Sequence, residues 1–172
     1  IKDKHISKLF DDLISYLIVG IILGGRLGYV FFYNLKYYLK NPIEIPMIWH
    51  GGMSFHGGLI GVIIATIIFS NKHEINKYIF LDLISASAPI GIFLGRISNF
   101  INSELYGRET TVPWAVIFGK IDNTPRHPSQ LYEAALEGLV LFVILYLFVK
   151  KNYLLKNGLI SSIFLIFYSL FR

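Results

Sequence analysis

Cysteine is absent from this chain, which excludes a disulfide framework, a thiolate metal site and a cysteine nucleophile together. Any thiol chemistry would have to use a thiol brought by a substrate. Charge is scarce as well. Asp, Glu, Lys and Arg make up 16% of the 172 residues, where a soluble domain carries about 25%. There is no basic stripe interleaved with exposed aromatics, so the formal net charge of +5 suits an anionic lipid surface and not a nucleic acid. No internal repeat or low-complexity segment is present.

What fills the chain instead is apolar: 54% hydrophobic residues and a mean hydropathy of +0.57. The fold class this implies is all-α, a polytopic helical membrane protein forming a single transmembrane domain over residues 1–172 in the lipid bilayer. Five apolar runs are expected to span: Leu13 to about Tyr33, Ile48 to Ser70, Tyr78 to about Ile101, Gln130 to Val149, and Leu159 to Phe171. The second is interrupted near its start by Gly51-Gly52 and Gly57-Gly58, and the third carries Asp82 near its start. The longest polar stretch, residues 102–128, reads as a head segment, in which Trp114 to Phe118 has the pattern of a short strand. Pro128 suits the first turn of the helix that follows. A start at Ile1 without methionine and a stop inside an apolar run lead us to expect a fragment of a longer protein.

Alternating spans place Lys2, Lys4, Lys8, Lys72, Lys77, Lys150, Lys151 and Lys156 on one side, which is cytoplasmic by the positive-inside rule. The 102–128 segment is then external. The polar groups inside the runs are Arg26 to Tyr33, His56, Arg96 to Asn102, Gln130 to Glu133, and Arg172. They fall at an end, a start, an end, a start and an end, so alternation brings all five toward the same outer face. One polar site at the outer membrane boundary is the expectation.

Arg96, Asn99 and Asn102 are spaced by three and share a helix face. Arg96 lies on the order of 8 Å from its helix end, at the depth of lipid phosphates. A guanidinium binds phosphate through paired N–H groups, and the asparagines can donate to ester or phosphate oxygens. The plainer alternative is an Arg–Glu pair joining helices, with Glu104 as one partner. His56 stands among glycines that allow close approach of a ligand or of another helix, and it could be a general base or a structural histidine. Arg126-His127-Pro128-Ser129-Gln130-Leu131-Tyr132-Glu133 opens the fourth span. Here His127 reads as a helix-start residue and Glu133 as a partner for Arg96 or Arg126. Arg26, with Tyr29 and Tyr33, is either a second phosphate contact or an interfacial anchor. No Gly-x-Ser-x-Gly elbow, intramembrane aspartate pair or His-Glu-x-x-His spacing points to a protease or a metal. Two classes remain: an enzyme acting on lipid headgroups, and a lipid or small-solute transporter. Transporters place their site near the midplane and often carry repeats, so the boundary placement favours the enzyme.

Three stretches, Gly51 to Gly61, Gly95 to Arg108 and Arg126 to Glu133, closely resemble the motifs of the bacterial prolipoprotein diacylglyceryl transferases, and Arg26-Leu27-Gly28-Tyr29 resembles a further one. The resemblance covers essentially the whole chain. It implies a seven-helix plasma-membrane enzyme, multi-pass, with a periplasmic head and its active site toward the periplasmic or outer face. Such an enzyme transfers the diacylglyceryl group of phosphatidylglycerol to the lipobox cysteine of a preprolipoprotein and releases glycerol 1-phosphate, the first step of bacterial lipoprotein maturation, without metal or organic cofactor. By motif, Arg96 matches the lipid-binding arginine, while Asn99, Glu104 and Gly107 match residues important for activity. His56 matches the histidine of the glycine-rich motif, and Arg172, four residues after Tyr168, matches a second essential arginine. The catalytic set implied is His56, Arg96, Glu104 and Arg172. The substrate-binding set adds Asn99, Asn102, Gly57, Gly107, Arg26, Tyr29, Gln130 and Glu133. Ser98 and Ser169 stand where the family usually has glycine.

Overall fold

The structure, a computed structural model, describes residues 4–172. Lys2 and the side chains of Lys4 and Lys8, counted above on the lysine-rich side, lie outside the described residues. Helices dominate. They are α1 (Lys4–Tyr33), α2 (Leu35–Lys40), α3 (Phe55–Lys72), α4 (Lys77–Asn102), α5 (Ser129–Glu133), α6 (Leu141–Lys150) and α7 (Leu159–Phe171). A π-helical stretch, Ala134–Val140, joins α5 to α6. Among the described residues, four segments are long and apolar enough to cross a bilayer: Asp11–Tyr33, Phe55–Lys72, Lys77–Asn102 and Ser129–Lys150, with α7 a shorter apolar fifth. This is a polytopic helical membrane protein.

The second span begins later than its apolar run suggests. Gly51 and Gly52 adopt φ of +80° and +83°, a conformation that suits glycine. Only after this turn does Ser54 cap α3, its Oγ accepting from the Gly57 amide at 3.2 Å. Within 102–128, the expected strand shrinks to β1 (Val116–Ile117), paired antiparallel with β2 (Pro125–Arg126). Pro128 sits one residue before α5, at its N-cap.

The chain forms two compact units, residues 1–80 and 81–172. The first is built on α1 and α3. Gly20, Gly24 and Gly28 recur every fourth residue along α1 and meet Gly57, Gly61 and Ala65 of α3, so the two backbones touch. Small residues at such spacing let helices approach where lipid offers no hydrophobic drive for association. A Cβ on Gly61 would collide with the Gly20 carbonyl oxygen, and one on Gly57 with that of Gly24. Because the backbones are so close, the larger side chains splay outward. They leave an apolar furrow of about 650 Å³ flanked by Leu23, Leu27, Ile60 and Ile64. Phe69 and Phe80, both fully buried, pack edge to face at 5.5 Å where the unit closes.

In the second unit α6 and α7 pack through Leu141, Leu145, Ile160 and Ile163, with Ala86 of α4 against the same cluster. Gly138, in the π-helical stretch, lies on Phe93 of α4: an added Cβ would come within 2.7 Å of the Phe93 Cβ.

These contacts separate two kinds of glycine. Gly61→Ala is expected to force α1 and α3 apart and to destabilise the full-length protein by about 3 kcal/mol, the upper end of ordinary overpacking. Gly91, whose surroundings are open, should tolerate alanine with unchanged or slightly raised stability. Equilibrium unfolding in detergent measures both; equal effects of the two substitutions would contradict the packing described.

Candidate functional site

Arg96 lies in the last two turns of α4, and two carboxylates meet it. Its Nη1 is 2.7 Å from Glu133 Oε2, and its Nη2 donates to Glu137 Oε2 at 3.3 Å. Arg172, at the end of α7, brings a second guanidinium to the same place: Nη1 is 2.9 Å from the same Glu133 Oε2 and 3.6 Å from Glu137 Oε1. One carboxylate oxygen is therefore shared by two arginines. Glu137 is fully buried, Arg96 nearly so, and Arg172 is half exposed. Of the two partners expected for Glu133, the structure selects Arg96. Glu104 is not the partner of Arg96.

Glu137 was not singled out from the sequence. The signal was there, as a second carboxylate four residues after Glu133 inside an apolar run. Intramembrane ionisable groups are rare enough to mark function or a charged partner. The π-helical stretch that carries Glu137 also brings Gly138 onto Phe93, one turn of α4 before Arg96. Such stretches recur at functional sites.

Below the arginine, α4 ends in a strained turn. Ser103 and Leu105 adopt φ of +62° and +51°, which costs of order 1–3 kcal/mol each for residues with a side chain. The turn aims Glu104 back at α4, where its Oε2 accepts from Asn99 Nδ2 at 3.0 Å. Gln130, fully buried, donates its side-chain amide to the Glu104 carbonyl, and Ser129 Oγ donates to the Leu105 carbonyl at 3.1 Å. These bonds clamp the turn onto the start of α5. Gly107 completes the clamp. Its amide donates to the His127 carbonyl at 3.0 Å, and a Cβ there would meet that oxygen at 2.6 Å. Gln130 and Gly107, assigned to substrate by motif, thus have a positioning role visible in their contacts. Asn102 is exposed at the end of α4.

Beside the clamp a shallow recess of about 270 Å³ is lined by Gly107, Arg108, His127, Ser129 and Tyr132. The Tyr132 hydroxyl takes the Trp114 indole N–H at 2.6 Å and lies 3.2 Å from His127 Nδ1. His127 is therefore more than a helix-start residue.

In the first unit the motif residues have other duties. Arg26, 4% exposed, donates through Nε to the Ile45 carbonyl at 2.7 Å and through Nη2 to that of Glu44 at 2.8 Å. Its Nη1 serves the carbonyls of Gly51 and Gly52, and the guanidinium lies 5.1 Å from the centre of the Tyr38 ring. Four backbone acceptors occupy it, so the phosphate contact considered for Arg26 gives way to a structural one: it ties the 42–52 loop to α1. Tyr29 packs over Gly52 and stacks on Tyr33 at 5.7 Å. Gly57, expected beside the substrate, is buried against Gly24 and Gly28 of α1 and lines the apolar furrow between the two helices. His56, by contrast, is exposed in the first turn of α3.

Outside the spans, Arg126 pairs with Asp122 at 2.7 Å and with Glu109 at 3.4 Å. The hydrogen bond from Arg126 is the main reason the Asp122 carboxyl titrates low, at about 2 against an ordinary 3.8. A depressed carboxylate stabilises the fold above its unfolded pKa and loses that effect as pH falls through the folded one. The 109–126 hairpin is thus expected to loosen between about pH 4 and pH 2. An NMR titration of Asp122 checks this: a midpoint near the ordinary value would show the pair unformed, and Asp122→Asn should flatten the response over that range.

The match to known proteins covers the whole chain. The model of the prolipoprotein diacylglyceryl transferase family matches residues 1–172. A phosphatidylglycerol–prolipoprotein diacylglyceryl transferase of Rickettsia felis is 55% identical over 172 residues, 99% of this chain and 66% of that protein. Proteins of the same name from Azospirillum brasilense and Methylocella silvestris are 54% and 49% identical, covering 95% of this chain in each case and 62% and 60% of their own lengths. The chain therefore spans just under two thirds of the length of these curated relatives. With its motifs in order and the match unbroken from end to end, this chain belongs to the prolipoprotein diacylglyceryl transferase family.

Proposed function

We propose that the chain is the catalytic portion of an enzyme that transfers the sn-1,2-diacylglyceryl group of phosphatidylglycerol to the lipobox cysteine thiol of a preprolipoprotein. The observation that carries this reading is the pair of guanidiniums, Arg96 and Arg172, converging on the single oxygen Glu133 Oε2. That carboxylate oxygen stands in for one phosphate oxygen. A headgroup phosphate entering the seat exchanges with Glu133 and keeps both arginines paired, so no bare cation is exposed to the membrane.

The chemistry follows from the seat. A free thiol has a pKa near 8.5, so only a few per cent is thiolate at neutral pH. A base takes the thiol proton, sulfur bonds to the terminal glyceryl carbon, and the bond from that carbon to the phosphate oxygen breaks. Glycerol 1-phosphate leaves with the electron pair. Charge on the leaving phosphate is held by Arg96 and Arg172, an electrostatic contribution of the kind worth about 3 kcal/mol per donor in other enzymes. Asn99 orients Glu104, and Asn102 adds a polar group at the mouth. His56 and Glu104 are the two candidate bases: both are exposed side chains of motif segments.

The seat opens toward the periplasmic or outer face of the plasma membrane, with residues 102–128 as the head on that side. Supporting this are Lys72, Lys77, Lys150, Lys151 and Lys156, clustered at the loops between α3 and α4 and between α6 and α7. The transporter alternative is not favoured, since the relatives carry a transferase name.

In the full-length enzyme, Arg96→Ala should lower transfer of labelled diacylglycerol to a lipobox peptide by at least about a hundredfold; near-normal transfer would remove the phosphate seat. His56→Gln should lower transfer by at least about a hundredfold if His56 is the base. A near-normal rate removes His56 from that role, and Glu104→Gln is the counterpart measurement for Glu104.

A further inference from the structure

Asp82 lies in the second turn of α4, fully buried, and takes no part in the chemistry above. Both of its oxygens are occupied by the start of α7. Oδ2 accepts from the Gly158 amide at 2.7 Å; Oδ1 accepts from the Ser161 amide and from Ser161 Oγ, each at 2.8 Å. Gly158 is the N-cap of α7 and has no side chain to cap with. The carboxylate that a helix start calls for is supplied by a different helix.

A local serine or aspartate would cap α7 equally well but would leave it free to slide. Asp82 joins the cap to α4, the helix that carries Arg96. The remaining packing of α7 is apolar, through Ile160 and Ile163 against Leu141 and Leu145, and apolar packing within lipid is weakly directional. A slip of one residue shifts a helix by about 1.5 Å and turns it by about 100°. From Ser161 to Arg172 the helix runs about 17 Å, and at its far end Nη1 of Arg172 must fall within 2.9 Å of Glu133.

We propose that Asp82 is a positioning residue: by capping α7 from α4 it sets the register of α7 and so places Arg172 beside Arg96. The effect on activity rests on the phosphate seat proposed above; the effect on register does not.

The full-length enzyme tests both. The chain has no cysteine, so spin labels can be placed at Leu94 of α4 and Leu170 of α7, exposed positions outside the site, once any cysteine in the flanking sequence is replaced. Asp82→Asn keeps the shape but turns an N–H toward the Gly158 amide. It should shift or broaden the distance distribution, and lower kcat/KM for phosphatidylglycerol about a hundredfold while leaving KM for the lipobox peptide unchanged. Ser161→Ala, which keeps the backbone bond, should change the rate less than about threefold. An unchanged distance distribution overturns the proposal, whether activity is kept or lost. A changed distribution with full activity upholds the register but removes the arginine seat. Should Asp82→Asn fail to accumulate, Asp82→Ser, too short to reach both amides, is read by the same labels with the same criteria.

Discussion

A charge inside a bilayer has no water to turn to, and the partner must come from the protein. Arg26, Asp82 and the Arg96–Glu137 pair meet this constraint in three ways. Arg26 is surrounded by carbonyls of an irregular loop, Asp82 by amides at a helix start, and Arg96 by two carboxylates. The first two partnerships rest mainly on backbone groups that cannot leave without unfolding the segment that bears them. The third consists of side chains and can be exchanged for another anion. Of the three, only the arginine–carboxylate cluster has partners that another anion could replace, which is why the proposed phosphate seat is placed there.

Much of this was legible in the sequence because the bilayer simplifies the code. Long apolar runs gave the spans to within a few residues, except for the second, whose helix starts at Phe55 and not at Ile48, and the lone polar groups within them pointed to Arg96, Glu133 and Arg172. The motif resemblance gave the family. Roles that depend on three-dimensional proximity were harder to read. Arg26 and Arg96 look alike on paper, each an arginine near the end of an apolar run, and only the fold shows one wrapped in carbonyls. Gly57 sits in the same motif as His56, yet points into the helix seam. Glu137 was overlooked because attention stayed on the helix start, and a π-helical stretch has no clear signature in composition. The left-handed Ser103 and Leu105 carry ordinary residues where glycine or asparagine would have announced a turn.

The glycines show how one residue type divides between scaffold and site. Those of α1 and α3 exist to bring two backbones together, and Gly138 does the same for the π-helical stretch and α4. Gly107 does it once more at the clamp, where its neighbour is the His127 carbonyl. In each case the missing side chain matters for what it lets approach. A side chain at Gly107 would therefore disturb the clamp that aims Glu104.

The shared cluster has a bearing on how the protein is made. Glu137 follows Arg96 by 41 residues, so at about 5–20 residues per second the arginine emerges from the ribosome roughly two to eight seconds before its buried partner exists. For that interval α4 must rest in the membrane with its guanidinium unpaired. Arg96 lies near the helix end, where a long side chain can reach the interface and remain hydrated. The same placement near the helix end that the proposed headgroup seat relies on also lets the nascent helix wait.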